Sequence, residues 1–203
     1  MSVNLVKGQK VNLQKSDGNT LRKVVVGLGW DAAQPQKAGG LAGLFGATKT
    51  QAIDCDASAF VCQDGVLTSN ADIVYFGNLT HQTGAVQHMG DNLTGDGEGD
   101  DEQIIVQLQQ LPQNYDKIVF VVNIYQAQSR NQHFGMVRNA YIRIIDADTN
   151  QELCKYNLSD NYNGMTAMIF GEIYRKQGQW KFSAVGQGTT DNDIKSLASR
   201  FTR

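Results

Sequence analysis

A chain of 203 residues, 41% of them apolar, is long enough to close one sizeable core, and its longest unbroken apolar run, Ile118 to Val122, is far too short to cross a bilayer. A formal charge of −2 gives no general drive toward nucleic acid or anionic lipid. Three cysteines (Cys55, Cys62 and Cys154) lack CxxC spacing, and the opening Met-Ser-Val-Asn-Leu-Val-Lys lacks a signal-peptide core, so the expectation is a reducing, cytoplasmic setting with inert thiols.

In chain order, Val3 and Leu5, then Val11 and Leu13, alternate across a Lys7-Gly8-Gln9 turn and read as a hairpin. Lys23–Trp30 alternates as well. Residues 35–50 are rich in Gly and Ala, have no period and read as a mobile loop. Further strands are expected over Ile53–Val61, Asp72–Phe76, Gln103–Leu108, Asn139–Asp146, Glu152–Leu158, Thr166–Arg175 and Gln179–Gly186. Lys117–Tyr125 is apolar on both faces for most of its length and should be a central, covered strand. Ile194, Leu197, Ala198 and Phe201 fall at helical spacing, with Thr190 and Asp193 placed as a capping pair, which predicts a terminal helix over 190–201. About ten strands and one helix make a single domain over 1–203, all-β, a two-sheet sandwich.

The charges are segregated. Residues 50–116 hold eleven Asp or Glu and no Lys or Arg, while all eighteen basic residues share the rest of the chain with nine acids. Within this acidic segment Gly90-Asp91-Asn92-Leu93-Thr94-Gly95-Asp96-Gly97-Glu98-Gly99-Asp100-Asp101-Glu102 places six carboxylates among glycines. Such crowding is relieved by a hard dication, and glycine lets backbone carbonyls turn inward as extra donors. Asp54 and Asp56 stand two apart on a predicted strand, so both carboxylates share one face while Ile53, Cys55 and Ala57 face the core. The donors are all oxygens, which favours Ca²⁺, with Mg²⁺ second and Zn²⁺ disfavoured. The spacing is not that of an EF-hand, because Leu93 and Gly95 fall at ligand positions and Asp96 falls where the turn glycine belongs. Acidic and without a Gly-Lys-Ser/Thr run, the stretch is unsuited to phosphate. His81 and His88 nearby read as second-layer or surface residues.

Several blocks, in order, carry a family resemblance: Val26-Gly27-Leu28-Gly29-Trp30-Asp31, Asp54 to Phe60, His88 to Gly95, Gly99 to Glu102, Lys117 to Val122, Met168 to Arg175 and Trp180 to Gly188. Over residues 3 to about 188 the chain resembles the TerD-type tellurium-resistance and general-stress proteins. The resemblance implies a β-sandwich, Ca²⁺ binding and a bacterial stress or tellurite-resistance setting, with partners among other proteins of the same system. Through these motifs Asp54, Asp56, Asp91, Asp100, Asp101 and Glu102 carry over as metal ligands, with Asp31, Asn92, Asp96 and Glu98 as further candidates. The chain departs from the family at the longer 35–50 link, at Ile124-Tyr125-Gln126-Ala127, where the family often has Ile-His-Asp-Ala, and after Gly188, where the usual Gly-rich ending is missing.

The functional expectation is a non-enzymatic Ca²⁺-binding stress protein whose metal orders an acidic loop that presents a partner surface. A metal-dependent, hydrolase-like enzyme is the alternative, although Ser58, His88 and Cys62 form no nucleophile–base set by spacing. Direct reduction of tellurite by thiols is disfavoured by the core-facing position of Cys55.

Overall fold

In the computed structural model, residues 2–15, 18–32, 52–90 and 99–203 are described. Twelve strands form two six-stranded sheets: β1 Val3–Leu5, β2 Lys10–Asn12, β3 Val24–Ala32, β4 Cys55–Gln63, β5 Ile73–Val74, β6 Val86–His88, β7 Glu102–Val106, β8 Tyr115–Ile124, β9 Val137–Asp146, β10 Gln151–Asn157, β11 Ala167–Lys176 and β12 Gln179–Thr189. One sheet runs β1-β10-β9-β3-β7-β6 and the other β2-β12-β11-β8-β4-β5. The expected two-sheet β-sandwich with a short C-terminal helix is what forms. Among the described residues no helix is long and apolar enough to cross a membrane.

Strand alternation builds the core between the sheets. Val24, Val26, Leu28 and Trp30 of β3 face Ala57, Ala59 and Val61 of β4 and Ile118, Phe120 and Val122 of β8. As its composition predicts, β8 lies inside its sheet between β4 and β11. Its outward Val119 and Val121 are also buried, with Phe60, Cys62, Ile169 and Leu197, beneath the terminal helix α1, Ile194–Ser199. Both faces of β4 and β8 are therefore covered, which explains their long apolar runs.

Three local expectations are corrected. The turn at Lys7-Gly8 forms, with Gly8 at φ +83, but its arms do not make a hairpin. β1 pairs parallel to β10 (Val3↔Cys154) in one sheet, and β2 pairs antiparallel to β12 (Val11↔Phe182) in the other. An isolated hairpin is marginal in water, and each sheet offers an open edge that rewards a strand. The helix is shorter than 190–201. Its capping box is Asp193 with Ser196, Asp193 accepting from the Ser196 N–H at 2.8 Å, rather than Thr190 with Asp193. β6, three residues long, carries no readable period and was not expected. The 35–50 loop lies outside the described residues.

Candidate metal centre

The acids meet at one end of the sandwich, where β4 and β7 begin and β3, β6 and β8 end. Ile53, Cys55 and Ala57 join the core, so Asp54 and Asp56 are turned to the other side, as the period-two reading requires. Asp56 is buried on that outer side and its Oδ2 accepts from Asn123 Nδ2 at 3.4 Å. The Asp54 carbonyl accepts from the Tyr125 N–H at 2.8 Å, and its carboxylate lies 3.7 Å from Arg130, whose guanidinium covers the Tyr125 ring.

From the facing sheet come Asp101 and Glu102. A register shift between Gly29 and Asp31 in the β3–β9 pairing accompanies a bond from the Trp30 N–H to Asp101 Oδ2 at 2.6 Å, and the Asp101 N–H donates to the Leu28 carbonyl. Glu102 opens β7 with its side chain pointing inward, only 2% exposed. Its Oε2 accepts from the Ala57 N–H of β4 at 2.8 Å and from His88 Nε2 at 3.1 Å. His88 Nδ1 accepts from the Gly90 N–H, so Nε2 carries the ring proton, shared between Glu102 and the Ala57 carbonyl at 3.2 Å. β5 is only two residues long and pairs β4 at Ala59 and Phe60, leaving Ala57 beyond it. Side chains of β6 and β7 thus take both polar backbone groups that the short neighbour does not reach.

All four carboxylates act on the Cys55 thiol, Asp54 and Asp56 from the outer side of β4 and Glu102 from between the sheets. Burial, then Asp56, Glu102, Asp54 and Asp101 in turn, push its thiol well above the ordinary range. The thiol itself is held in the core and is unsuited to ligation. All the donors are hard oxygens, the set that suits Ca²⁺ or Mg²⁺. Among the described residues, however, no group of three or more His, Cys, Asp or Glu side chains is arranged to hold a metal ion. The donor chemistry fits a dication, while a full coordination sphere requires donors beyond this set.

The other sequence candidates fall elsewhere. Asp100 lies across the outer face of the β3 sheet against Arg143 and Tyr141. Asp31 is exposed and accepts from Asn139 Nδ2 at 2.6 Å. Asp91, Asn92, Asp96 and Glu98 lie outside the described residues. Neither histidine is at the surface: His88 belongs to the inter-sheet contact, and His81 is buried between Asp72 Oδ1 at 3.0 Å and Thr83 Oγ1 at 2.8 Å. His88 takes the second-layer place that the sequence offered it, on Glu102, whereas sequence reasoning missed Arg143 and Tyr141 as functional neighbours. A usable signal was present in Gly27 and Gly29, two apart on one strand face: a Cβ on Gly27 would fall within the Asp100 carboxylate, and one on Gly29 within the Tyr141 ring.

The TerD domain model matches residues 1–201. The chain belongs to the TerD family. Among TerD relatives it is 49% identical over 203 residues to Stress response protein SCP2 of Bacillus subtilis (strain 168), covering 99% of this chain and 100% of that protein. It is 44% identical over 189 residues to Tellurium resistance protein TerD of Serratia marcescens, covering 93% and 91%. A crystal structure of a protein of unknown function, SAV2460, superposes with a TM-score of 0.67 at 22% identity over 91% of this chain and 99% of that one. The TerD homologue SCO6318 of Streptomyces coelicolor A3(2) gives 0.61 at 22% identity over 86% and 94%. These two structures establish the shared TerD-type fold.

Proposed function

We propose that this chain is a non-enzymatic, Ca²⁺-binding stress-response protein of the tellurite-resistance type, working in the cytoplasm. The observation that carries the reading is the placing of Asp54 and Asp56 at the start of β4 and of Asp101 and Glu102 at the start of β7, two strand ends joined where Glu102 Oε2 accepts from the Ala57 N–H. Asp91, Asn92, Asp96 and Glu98 enter as further donors on the sequence alone, and Asp31 as a donor at the margin. Bound Ca²⁺ supplies charge neutralisation, lifting the mutual repulsion of the acids and ordering the stretch as a surface for other proteins of the same resistance system. The stress and tellurium-resistance setting follows the names of the relatives.

The residues that a hydrolase-like mechanism would draw on are engaged elsewhere or buried away from solvent. His88 spends both ring nitrogens on Gly90, Ala57 and Glu102, Ser58 is buried, and the Cys62 thiol is pushed up to about 12, chiefly by burial.

Calorimetric titration of chelator-stripped protein with Ca²⁺ and with Mg²⁺ tests the metal. A native-state ligand present at a hundred times its Kd adds about 2.7 kcal/mol. For a domain of this size that raises the melting temperature by roughly 5–11 °C. No binding heat and no change in melting temperature on adding Ca²⁺ would overturn the reading. The partner surface is tested by binding of a second purified protein of the system with Ca²⁺ and with chelator, where equal binding in both removes the metal from that role.

A further inference from the structure

Three consecutive acids, Asp100, Asp101 and Glu102, have the same chemistry in sequence and different surroundings in space. Glu102 points into the sandwich and Asp101 turns to the β3 backbone, while Asp100 crosses to the outer face of the sheet, its side chain fully buried. Its Oδ1 accepts from Arg143 Nε at 2.7 Å and from the Tyr141 hydroxyl at 3.0 Å. Its Oδ2 accepts from Arg143 Nη2 at 3.0 Å and from Gln103 Nε2 at 2.9 Å. A carboxylate offers about four lone-pair sites, and four donor contacts address them here. The arginine fork matches both oxygens and offsets much of the charge while its Nη1 also holds Glu152 at 3.3 Å, so the four donors leave this group without a lone pair that a cation would draw on.

The same clamp holds the backbone. The Tyr141 hydroxyl shares its one proton between Asp100 and the Gly99 carbonyl, the latter at 2.7 Å, and Gly99 sits at φ +119, where an L side chain is strained. Gly27 and Gly29 keep the strand beneath bare, so that carboxylate and phenol lie flat on it. Tyr141 is itself covered by Lys155, whose Nζ stands 3.7 Å from the ring centroid.

We infer that Asp100 is an anchor and not a metal ligand, and that Tyr141 and Arg143 are positioning residues that fix the exit of the acidic stretch so that Asp101 and Glu102 are aimed at the metal. The inference rests on the Ca²⁺ reading above. It is tested on full-length Asp100→Asn and Tyr141→Phe proteins with Tb³⁺, a hard oxygen-seeking ion, as the probe and Trp30 as the sensitiser. Luminescence decay in H₂O and D₂O counts the waters left on the bound ion, and amide exchange over residues 99–103 is followed in chelator.

The clamp predicts faster exchange over 99–103 by about tenfold in Tyr141→Phe, the equivalent of one hydrogen bond, and weaker Tb³⁺ affinity in both variants. It also predicts an unchanged water count. Extra water on the ion in Asp100→Asn makes Asp100 a ligand and overturns the inference. Faster exchange with unaltered affinity assigns the clamp to stability alone and also overturns it, as does no change in either. Wild-type protein that takes up neither Ca²⁺ nor Tb³⁺ refutes the metal reading itself and this inference with it, an outcome distinct from any variant-specific result.

Discussion

Replacing Glu102 tests whether the carboxylate holds the two sheets together before any metal is bound. Glu102→Ala removes the acceptor for the buried Ala57 N–H, an unmet donor that costs about 1–3 kcal/mol. His88 retains the Ala57 carbonyl, so its proton is not stranded. The truncated side chain is 2% exposed and leaves a hole, worth about another 1–2 kcal/mol where the surroundings close partly. Relief of repulsion from the neighbouring acids works the other way, so the net expectation is a loss of about 2–4 kcal/mol. At roughly 2–4 °C per kcal/mol for a domain of this size, the melting temperature falls by about 4–16 °C. Glu102→Gln keeps an oxygen for the Ala57 N–H and discards the charge, so it should cost under about 1 kcal/mol. The assay is thermal and urea unfolding in chelator, which removes any contribution from ligation. Equal destabilisation by the two variants would show that charge and not the inter-sheet hydrogen bond matters, and the reasoning would fail.

Asp56→Asn and Asp101→Asn should each weaken Ca²⁺ binding about tenfold or more in calorimetry and shrink the Ca²⁺-dependent rise in melting temperature; two variants that melt like wild type with and without Ca²⁺ would remove both from the ligand set. Gly27→Ala drives a methyl into the pinned Asp100 carboxylate and should cost about 1–3 kcal/mol by urea unfolding, whereas Gly8→Ala, with open space around it, carries only the penalty of its φ of +83. At Asp72, burial works to raise the carboxyl, but hydrogen bonds from His81, Thr68, Gln82 and Tyr115 outweigh it and hold the group below its ordinary value. The unfolded chain therefore binds the proton first: the stability from this group is present above about pH 4 and is lost as pH falls through the lower folded value. Asp72→Asn should flatten that acid limb, and an unchanged slope between pH 4 and 2 would count against the network. Cys62 and Cys154 have thiols pushed up to about 12, burial foremost, and Cys55 is raised well above the ordinary thiol range by burial and then by its acidic neighbours. All three should resist a disulfide reagent at pH 8 until the protein is unfolded; rapid native labelling would revive thiol chemistry.

The strands of the core were legible because each repeats its apolar residues at period two or, as in β8, at every position, and burial between layers rewards both patterns. The pairing of β1 and β2 was not, because the Lys7-Gly8-Gln9 turn reports only local geometry while the strand partners stand more than 140 residues away. β6 has three residues and no period to read. At the candidate site, charge segregation revealed the acids, and the Asp-x-Asp spacing gave the faces of Asp54 and Asp56. What spacing does not encode is the division of labour among Asp100, Asp101 and Glu102, since that depends on Arg143, Tyr141, Trp30 and Ala57 on other strands. Only the bare Gly27 and Gly29 hinted that something crosses the sheet there.

The split destination of β1 and β2 bears on how the protein is made. β1 adds to β10 and β2 to β12, so one short ribbon spans both layers like a clasp, stitched at Gly8 and Gln9 to Ala184. Neither partner exists while the ribosome is still working through β3 to β9, and loop closure over so long a separation is slow. The clasp must therefore wait, unpaired, for most of synthesis and shut last. An affinity tag fused ahead of Val3 would act at that moment, hindering closure in the nascent chain without weakening the finished fold.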